Sequence, residues 1–465
     1  MESNEHRDVI IVGAGPAGIF TALRLCQEGP GLKITLIEKG NDLKKRFCPA
    51  KERSIDCIHC NNCSIVCGWG GAGAFSDGKL TLSPDIGGHL GEYIGRDKLQ
   101  EMIKEVDDIY LSYGAPEKIY GVDQERAEEI RRKATLADLK FIPAKLRHLG
   151  TGYSQKVLQE MKDALLANGV DIHIGEKVEQ IIVEGDQVRG VKTCADTVYM
   201  ADYVVVAPGR ENAEWLSQEA ERLKINMTVN PVDIGVRVEV PAPVLENLTR
   251  SIYESKLIFH SKTFEDKVRT FCMCPNGEVV NENNQGLITV NGHSHAHKKT
   301  SNSNFALLVS KTFTEPFKEP ITYGKYIARL ANLLGGGVLV QRLGDLLNGR
   351  RSTPERIKRG IVEPSLADAT PGDLSLVFPY RHLMAITEML EALDQLAPGL
   401  YSRNTLLYGV EVKFYSSRLQ VDRNLKTRIR NLYVGGDGAG ITRGLMQASV
   451  SGVLIGNSIL QQMEG

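Results

Sequence analysis

The sequence predicts an α/β protein. A Rossmann-like nucleotide-binding domain is discontinuous along the chain, a second α+β domain lies within it, and a helical insertion follows the first segment. Three observations predict this. A short apolar strand runs straight into Gly13-Ala14-Gly15-Pro16-Ala17-Gly18. A late stretch, Asn431 to Gly440 (NLYVGGDGAG), again joins strand, glycine turn and helix. Between them the pattern changes to alternating strands and charged helices. The expected bounds are 1–91, 92–150 (the insertion), 151–229, 230–402 (the second, substrate domain) and 403–465.

The first unit begins with Asp8 to Val12 (DVIIV), nearly all apolar and β-branched, as a buried parallel strand should be. A helix is expected from Pro16 to about Gln27, then a strand from Lys33 to Glu38 (KITLIE). Glu38 lies 20 residues after Gly18, completing a strand–GxGxxG–helix–strand–acid unit. Gly13 permits the tight turn, Gly15 lets the backbone reach a pyrophosphate, and Gly18 lets helix pack on strand. The helix N-terminus offers amides to phosphate, and Glu38 can accept ribose hydroxyls. The unit alone does not separate NAD from FAD.

Asn41 to Arg53 is basic and polar and reads as a surface connection. It carries Cys48 and leads to Cys57, Cys60, Cys63 and Cys67, spaced C-x2-C-x2-C-x3-C. That is the bacterial ferredoxin spacing, with Gly68 where proline is usual. A [4Fe-4S] iron–sulfur cluster could use Cys57, Cys60 and Cys63 with Cys48 or Cys67. Zinc held by four thiolates is a competing reading, and reduced thiols without metal are a third. His59 reads as a solvent-facing loop residue. The glycine-rich stretch Gly70 to Lys79 then permits close backbone approach to a bulky ligand.

In the middle, Arg96 to Tyr113 and Gln124 to Lys133 have helical spacing and carry no obvious chemistry. A helix from Ser154 to Asn168 precedes strands Asp171 to Ile174, Val178 to Glu184 and Gln187 to Thr193. Asp202 to Ala207 (DYVVVA) is another buried strand, ending in Pro208-Gly209-Arg210, as where a chain returns to a nucleotide sheet.

In the second domain Gly235 to Val240 alternates as a strand. Val268 to Val280 is a hairpin candidate with Asn276-Gly277 at the turn, and Cys272 and Cys274 would share one strand face. His293, His295 and His297 alternate likewise; an exposed strand end is the main reading and a metal site the lesser one. Lys325 to Leu347 and Tyr380 to Leu396 read as helix-rich. After the strand at Leu432, Asp437 can bind a ribityl hydroxyl, and the helix from about Leu445 faces the flavin carbonyls with its N-terminus. With this second half in place, FAD becomes the expected cofactor.

The GAGPAG turn with Glu38, the APG strand end and GGDGAG resemble the glutathione-reductase-like flavoprotein superfamily. More narrowly, GGAGAFSDGKLT, RTFCMCPNGEVV, TVNGHS and GDGAGITRGLMQAS resemble a largely uncharacterised family of FAD-dependent, or NAD(FAD)-utilising, dehydrogenases. The resemblance covers nearly the whole chain. It implies FAD contacts at Gly13, Gly15, Pro16, Ala17, Gly18, Glu38 and Lys39. It extends them to Gly73, Ser76, Asp77, Gly78 and Lys79, to Val178, Ala207 and Gly209, and to Gly436, Asp437, Gly438 and Arg443. It implies no firm substrate.

The expected function is an FAD-dependent oxidoreductase acting on a small organic substrate, with Cys272, Cys274, Asn291 and His293 as catalytic candidates. Cys272 or Cys274 would be a proton donor or redox thiol, and His293 an acid or base. A flavin-binding electron-transfer or macromolecule-modifying protein is the alternative. No second strand–GxGxxG–helix unit is found besides the first, so NAD(P)H would bind only transiently, or a ferredoxin-like donor would deliver electrons. Net charge is −1, so no polyelectrolyte partner such as nucleic acid is expected. Apolar runs are only strand-length and the polar start leaves no room for a signal peptide, so no membrane partner is expected. Nine cysteines without a secretory signal point to a reducing cytoplasm.

Overall fold

A computed structural model describes residues 6–53, 58, 60, 62–76, 78–249, 256–284, 286–294, 299–313, 316–317, 319–414 and 417–465. The chain divides into two compact units. The first comprises Met1–Ile119, Leu146–Asn230 and Ser416–Gly465; the second comprises Tyr120–Lys145 and Pro231–Tyr415.

The first unit is built on parallel strands in the order Asp171–Ile174, Ile34–Glu38, Arg7–Val12, Val198–Val206, Leu432–Val434. Val9, Ile10 and Ile11 are completely buried, as a parallel strand covered on both faces requires. The strand Val198–Val206 is longer than the expected Asp202 to Ala207. Its first half pairs antiparallel with Gln187–Thr193, which pairs in turn with Val178–Glu184. Helix Pro16–Glu28 packs on the C-terminal helix Leu445–Glu464, where the Thr21 hydroxyl donates to the Gly452 carbonyl at 3.1 Å. A Cβ on Gly452 would overlap the Ala17 carbonyl, so these backbones touch.

The second unit holds an eight-stranded sheet, mostly antiparallel. Its centre is Leu406–Lys413, Val232–Pro241, Asn302–Lys311 and Lys267–Cys274. Val236, Val238, Leu307 and Val309 face a core shared with helix Tyr380–Asp394.

Several expectations differ from this architecture. The inserted stretch 92–150 is not one body. Helix Arg96–Ser112 belongs to the first unit, while Gln124–Leu136 and strand Lys140–Ile142 belong to the second, where Lys140–Ile142 edges the large sheet. Residues 403–415 stay with the second unit, because Leu406–Lys413 is a central strand there. The hairpin expected over Val268 to Val280 does not form. Lys267–Cys274 pairs with Asn302–Lys311, and Glu278–Asn284 pairs instead with Leu287–His293. Asn276-Gly277 does turn the chain, with Asn276 at φ +49°, but it turns it out of one sheet and into another. Within Lys325 to Leu347, the three glycines end helix Pro320–Gly335 and lead to a strand, Leu339–Arg342. His295 and His297 lie outside the described residues.

Candidate functional site

The glycine turn in the first unit is shaped by backbone proximity. Gly13 stands at φ +104°, and a side chain there would overlap the Ala207 carbonyl. A Cβ on Gly18 would overlap the Gly13 carbonyl. Gly15 is different, because a Cβ there would meet nothing within 4 Å. It therefore lines open space at the head of the helix. That helix has Gly15 as its N-cap, no side-chain cap and no acidic residue in its first turn. Its first amides keep their donors for an incoming anion.

A second helix N-terminus has the same character. Leu445–Glu464 starts from Gly444, also without a side-chain cap or first-turn acid. Gly436, at φ +75°, brings this end close to the first: a Cβ on it would lie 3.2 Å from that of Ala17. Gly438 rests on the Gly209 backbone, where a Cβ would lie 2.5 Å from the Gly209 carbonyl oxygen. Gly73 and Gly71 close the group, Gly73 against Leu445 and Gly71 against the Gly15 Cα. The structure thus gathers Gly13, Gly15, Pro16, Ala17, Gly18, Gly73, Ala207, Gly209, Gly436 and Gly438. Open space beside Gly15 and two uncapped helix ends fit the phosphates and ring of a dinucleotide.

Glu38 is buried and its carboxylate accepts three backbone amides: Ala14 at 2.9 Å, Gly40 at 2.8 Å and Gly68 at 3.0 Å. It holds the phosphate turn while keeping lone pairs for a ribose. Lys39 donates to Asn212 at 2.6 Å. Ser76 folds back on the Gly73 carbonyl and accepts from the Gly78 amide, while Asp77 lies outside the described residues. Lys79 pairs in register with His148, and Val178 is buried at the start of its strand. Asp437 accepts from Thr442 Oγ1 at 2.8 Å and from the Gly444 amide at 3.1 Å. Burial raises its pKa, against the opposing pull of Arg210, Gly444, Thr442 and Arg443. It braces the loop into the second helix, and the Arg443 amide joins the Gly87 carbonyl.

The cysteine loop is less surface-like than its composition suggests. Arg46, in the stretch expected to be a surface connection, is only 4% exposed. Its guanidinium donates to the carbonyls of Ser64, Ile65 and Trp69 at 2.6–2.9 Å and stacks on Phe75. An internal cation with three carbonyl acceptors looks like any basic residue in sequence. Cys63 and Cys67 are joined by one turn, Cys67 N–H to Cys63 O at 2.9 Å. Cys67 is buried, Cys48 and Cys63 are half-buried and Cys60 is exposed. Burial pushes the Cys67 thiol up to about 11 despite Lys39 beside it. Cys57 and His59 lie outside the described residues, and among the described ones no group of three or more metal-ligating side chains converges.

In the second unit, Cys272 and Cys274 do not simply share a strand face. A bulge between Phe271 and Cys274 breaks the alternation, with Cys272 at φ +47°. Cys272 is half-buried and Cys274 completely buried. Arg237, which sequence reasoning passed over, is the centre of this region. It is fully buried and donates through Nε to Asn304 at 2.8 Å. Through Nη1 it meets both Glu411 oxygens at 3.4 Å, and through Nη2 the Cys272 carbonyl at 2.7 Å. Burial opposes its charge, but Glu411, then Cys274 and Cys272, raise its pKa further. Gly292 is why the arginine fits: a Cβ there would overlap the guanidinium. Asn291 donates to Glu282 at 3.3 Å and accepts the Gly292 amide, so it holds Glu282. His293 is half-buried opposite Glu278 in its strand pair.

Residues 231–414 match a family model for the C-terminal-like domain of FAD-dependent proteins. Residues 133–242 match one for pyridine nucleotide-disulphide oxidoreductases, and 8–52 one for lycopene cyclase proteins. An uncharacterized protein of Clostridium beijerinckii is 28% identical, the match covering 98% of this chain and 81% of that one. Among solved structures, a 3-ketosteroid-Δ4-(5α)-dehydrogenase from Rhodococcus jostii RHA1 is 12% identical with TM-score 0.45, covering 98% of this chain and 96% of that one. L-proline dehydrogenase from P. horikoshii is 11% identical with TM-score 0.40, covering 98% and 94%.

Proposed function

We propose that this chain, an FAD-dependent oxidoreductase, holds its FAD in the first unit and oxidises or reduces a small organic substrate. The open space beside Gly15, between two uncapped helix ends, carries the assignment of the FAD site. Bound FAD would supply two-electron chemistry at its ring. The first-turn amides of the two helices, those of Ala17 and Leu445 among them, would orient its phosphates and polar ring edge, and Glu38 its ribose. In the second unit, Cys272, Cys274 and His293 are the candidates for proton movement, and Asn291 orients Glu282 beside them.

Electrons would come from a transiently bound NAD(P)H or from a ferredoxin-like donor through a cluster in the cysteine loop. The Gly68–Glu38 hydrogen bond favours the second route, because it ties the end of the cysteine run to the phosphate turn. Zinc, or no metal, would leave the first. No described helix is long and apolar enough to cross a membrane. The eight described cysteines form no disulfide with one another, which fits a reducing cytoplasm.

Stopped-flow bleaching of the flavin in anaerobic protein tests the route. Reduction by a ferredoxin-like donor should outpace NADH and NADPH, and Cys57→Ser should slow it while dithionite still bleaches the flavin. Rapid, saturable bleaching by NADPH, indifferent to Cys57→Ser, would leave a simple nicotinamide-linked dehydrogenase.

A further inference from the structure

The stretch that follows strand Leu339–Arg342 concentrates positive charge in a chain whose net charge is −1. Arg342, Arg350, Arg351, Arg356, Lys358 and Arg359 stand there against Asp345 and Glu355. A run of exposed cations alone would be a solvated face. Here the cations are gathered on a buried anchor. Asp345, in the short helix Leu343–Leu347, is completely buried. Its Oδ1 accepts Arg350 Nε at 2.9 Å, and its Oδ2 accepts the Ser352 hydroxyl at 2.8 Å. Burial works against its charge, but the hydrogen bonds from Ser352 and Arg350 and the charges of Arg342 and Arg350 hold its carboxyl below the ordinary value.

Both oxygens are then engaged, and two more guanidinium groups remain. Arg342 Nε lies 3.7 Å from Oδ2 and Arg356 Nη1 lies 3.9 Å from Oδ1, both beyond hydrogen-bond range. Arg342 is buried, and its Nε has no hydrogen-bond partner among the described residues. Main-chain carbonyls fix these side chains instead. Arg342 Nη1 donates to the Arg356 carbonyl at 2.7 Å, and Arg356 Nη1 to the Arg351 carbonyl at 2.8 Å. A carbonyl holds a guanidinium in place without cancelling its charge. Among the described residues, Asp345 is the one carboxylate within ion-pair distance of these three arginines. Glu355 is exposed and acts on Arg359, while Asp373 accepts Ser375 and Gln341. Three cations thus share one anion.

The spare donors reach solvent. The Arg350 and Arg356 side chains are 47% and 36% exposed. Among the described residues, Arg350 makes no hydrogen bond through Nη1 or Nη2, and Arg356 none through Nε or Nη2. Both approach the same Asp345 oxygen, so the two guanidinium groups stand together. A guanidinium matches an oxyanion through paired N–H donors. Two positive charges in excess suit a phosphate dianion better than a carboxylate, which carries one. We infer that Arg350 and Arg356, set in place by Asp345 and Arg342, form a binding site for a phosphate group, free or carried on a small ligand. The site lies wholly within the second unit and does not depend on where FAD sits.

The experiment titrates holoprotein with inorganic phosphate at low ionic strength, by calorimetry. Full flavin content, read from visible absorption, keeps the dinucleotide site from answering for this one. Phosphate should bind, and Arg350→Gln and Arg356→Gln should each weaken it at least about tenfold. If one of these variants does not fold, the other decides. Arg359→Gln removes a neighbouring surface cation outside the pair and should change binding little. NADP+ and NAD+ separate the sources of the phosphate. Tighter binding of NADP+, lost in the same two variants, identifies a nucleotide 2′-phosphate; equal binding of the two, with inorganic phosphate still bound, identifies free phosphate or another ester. Either result keeps the site. No binding of phosphate and no preference for NADP+, or a loss in Arg350→Gln and Arg356→Gln no larger than in Arg359→Gln, overturns the inference.

Discussion

Glu38 and Gly68 are joined across thirty residues by a 3.0 Å hydrogen bond from the Gly68 amide to Glu38 Oε1. The same oxygen accepts Gly40, and Oε2 accepts Ala14 of the glycine turn. One buried carboxylate thus sets both the phosphate turn and the exit of the cysteine run. Glu38→Gln replaces one acceptor oxygen with a donor, opposite an amide. Each charged hydrogen bond lost is worth about 1.5–3 kcal/mol, so FAD affinity should fall at least about tenfold. Titration of apoprotein with FAD, followed by fluorescence quenching, measures this; unchanged affinity would remove Glu38 from the site.

Gly15→Leu should abolish flavin binding while leaving the fold intact. The added side chain meets no protein atom near its Cβ and fills the space assigned to pyrophosphate. Absorbance in the visible and circular dichroism in the far ultraviolet check the two halves of this expectation. Gly18→Ala is the contrast: its Cβ would overlap the Gly13 carbonyl, so it should lower thermal stability as well.

Anaerobically purified protein should contain iron and acid-labile sulfide, and Cys60→Ser should lose both. Cys60 is exposed, so this substitution places little strain on the loop. Stoichiometric zinc in place of iron would identify a structural thiolate site. Metal-free protein with full flavin would set both aside.

Gly292→Ala should destabilise the second unit. Its methyl group would overlap the Arg237 guanidinium, which has no empty space to move into at 0% exposure. Displacing a buried, paired arginine costs about 3–5 kcal/mol. A urea midpoint unchanged from wild type would contradict the packing described here.

His382 should make the second unit acid-sensitive. It is buried, neither ring nitrogen has a partner among the described residues, and its pKa is lowered from 6.5 to about 4. Burial is the main cause, then Lys311 and Arg381, with Asp266 opposing. Below pH 6.5 the unfolded chain gains a proton that the folded chain refuses until about pH 4. Stability therefore falls as pH drops through that window, by up to about 3 kcal/mol. His382→Phe should flatten the dependence; denaturant midpoints at several pH values read it.

The first unit was legible because its signals are local. DVIIV, GAGPAG and KITLIE announce strand, turn and strand within one short stretch, and GGDGAG does so again near the end. Arg46 was not legible, because its acceptors are main-chain carbonyls and carry no side-chain signature. Arg237 and Glu411 were not legible either, since 174 residues separate a pair that only strand pairing brings together. The bulge at Cys272 follows from its backbone, at φ +47°, which strand alternation cannot foretell.

The contact between Thr21 and Gly452 spans 431 residues, nearly the whole chain. Order of synthesis therefore matters. The glycine turn leaves the ribosome long before the helix face that supports it. The stretch Pro231–Tyr415 is continuous and can gather its central strands while the front of the chain still waits. Until Leu445–Glu464 emerges, Ala17 and Thr21 on the first helix lack the backbone they pack against. A nascent chain stalled before Leu445 carries the phosphate turn without its support, and is a client for chaperones before it can be a host for flavin.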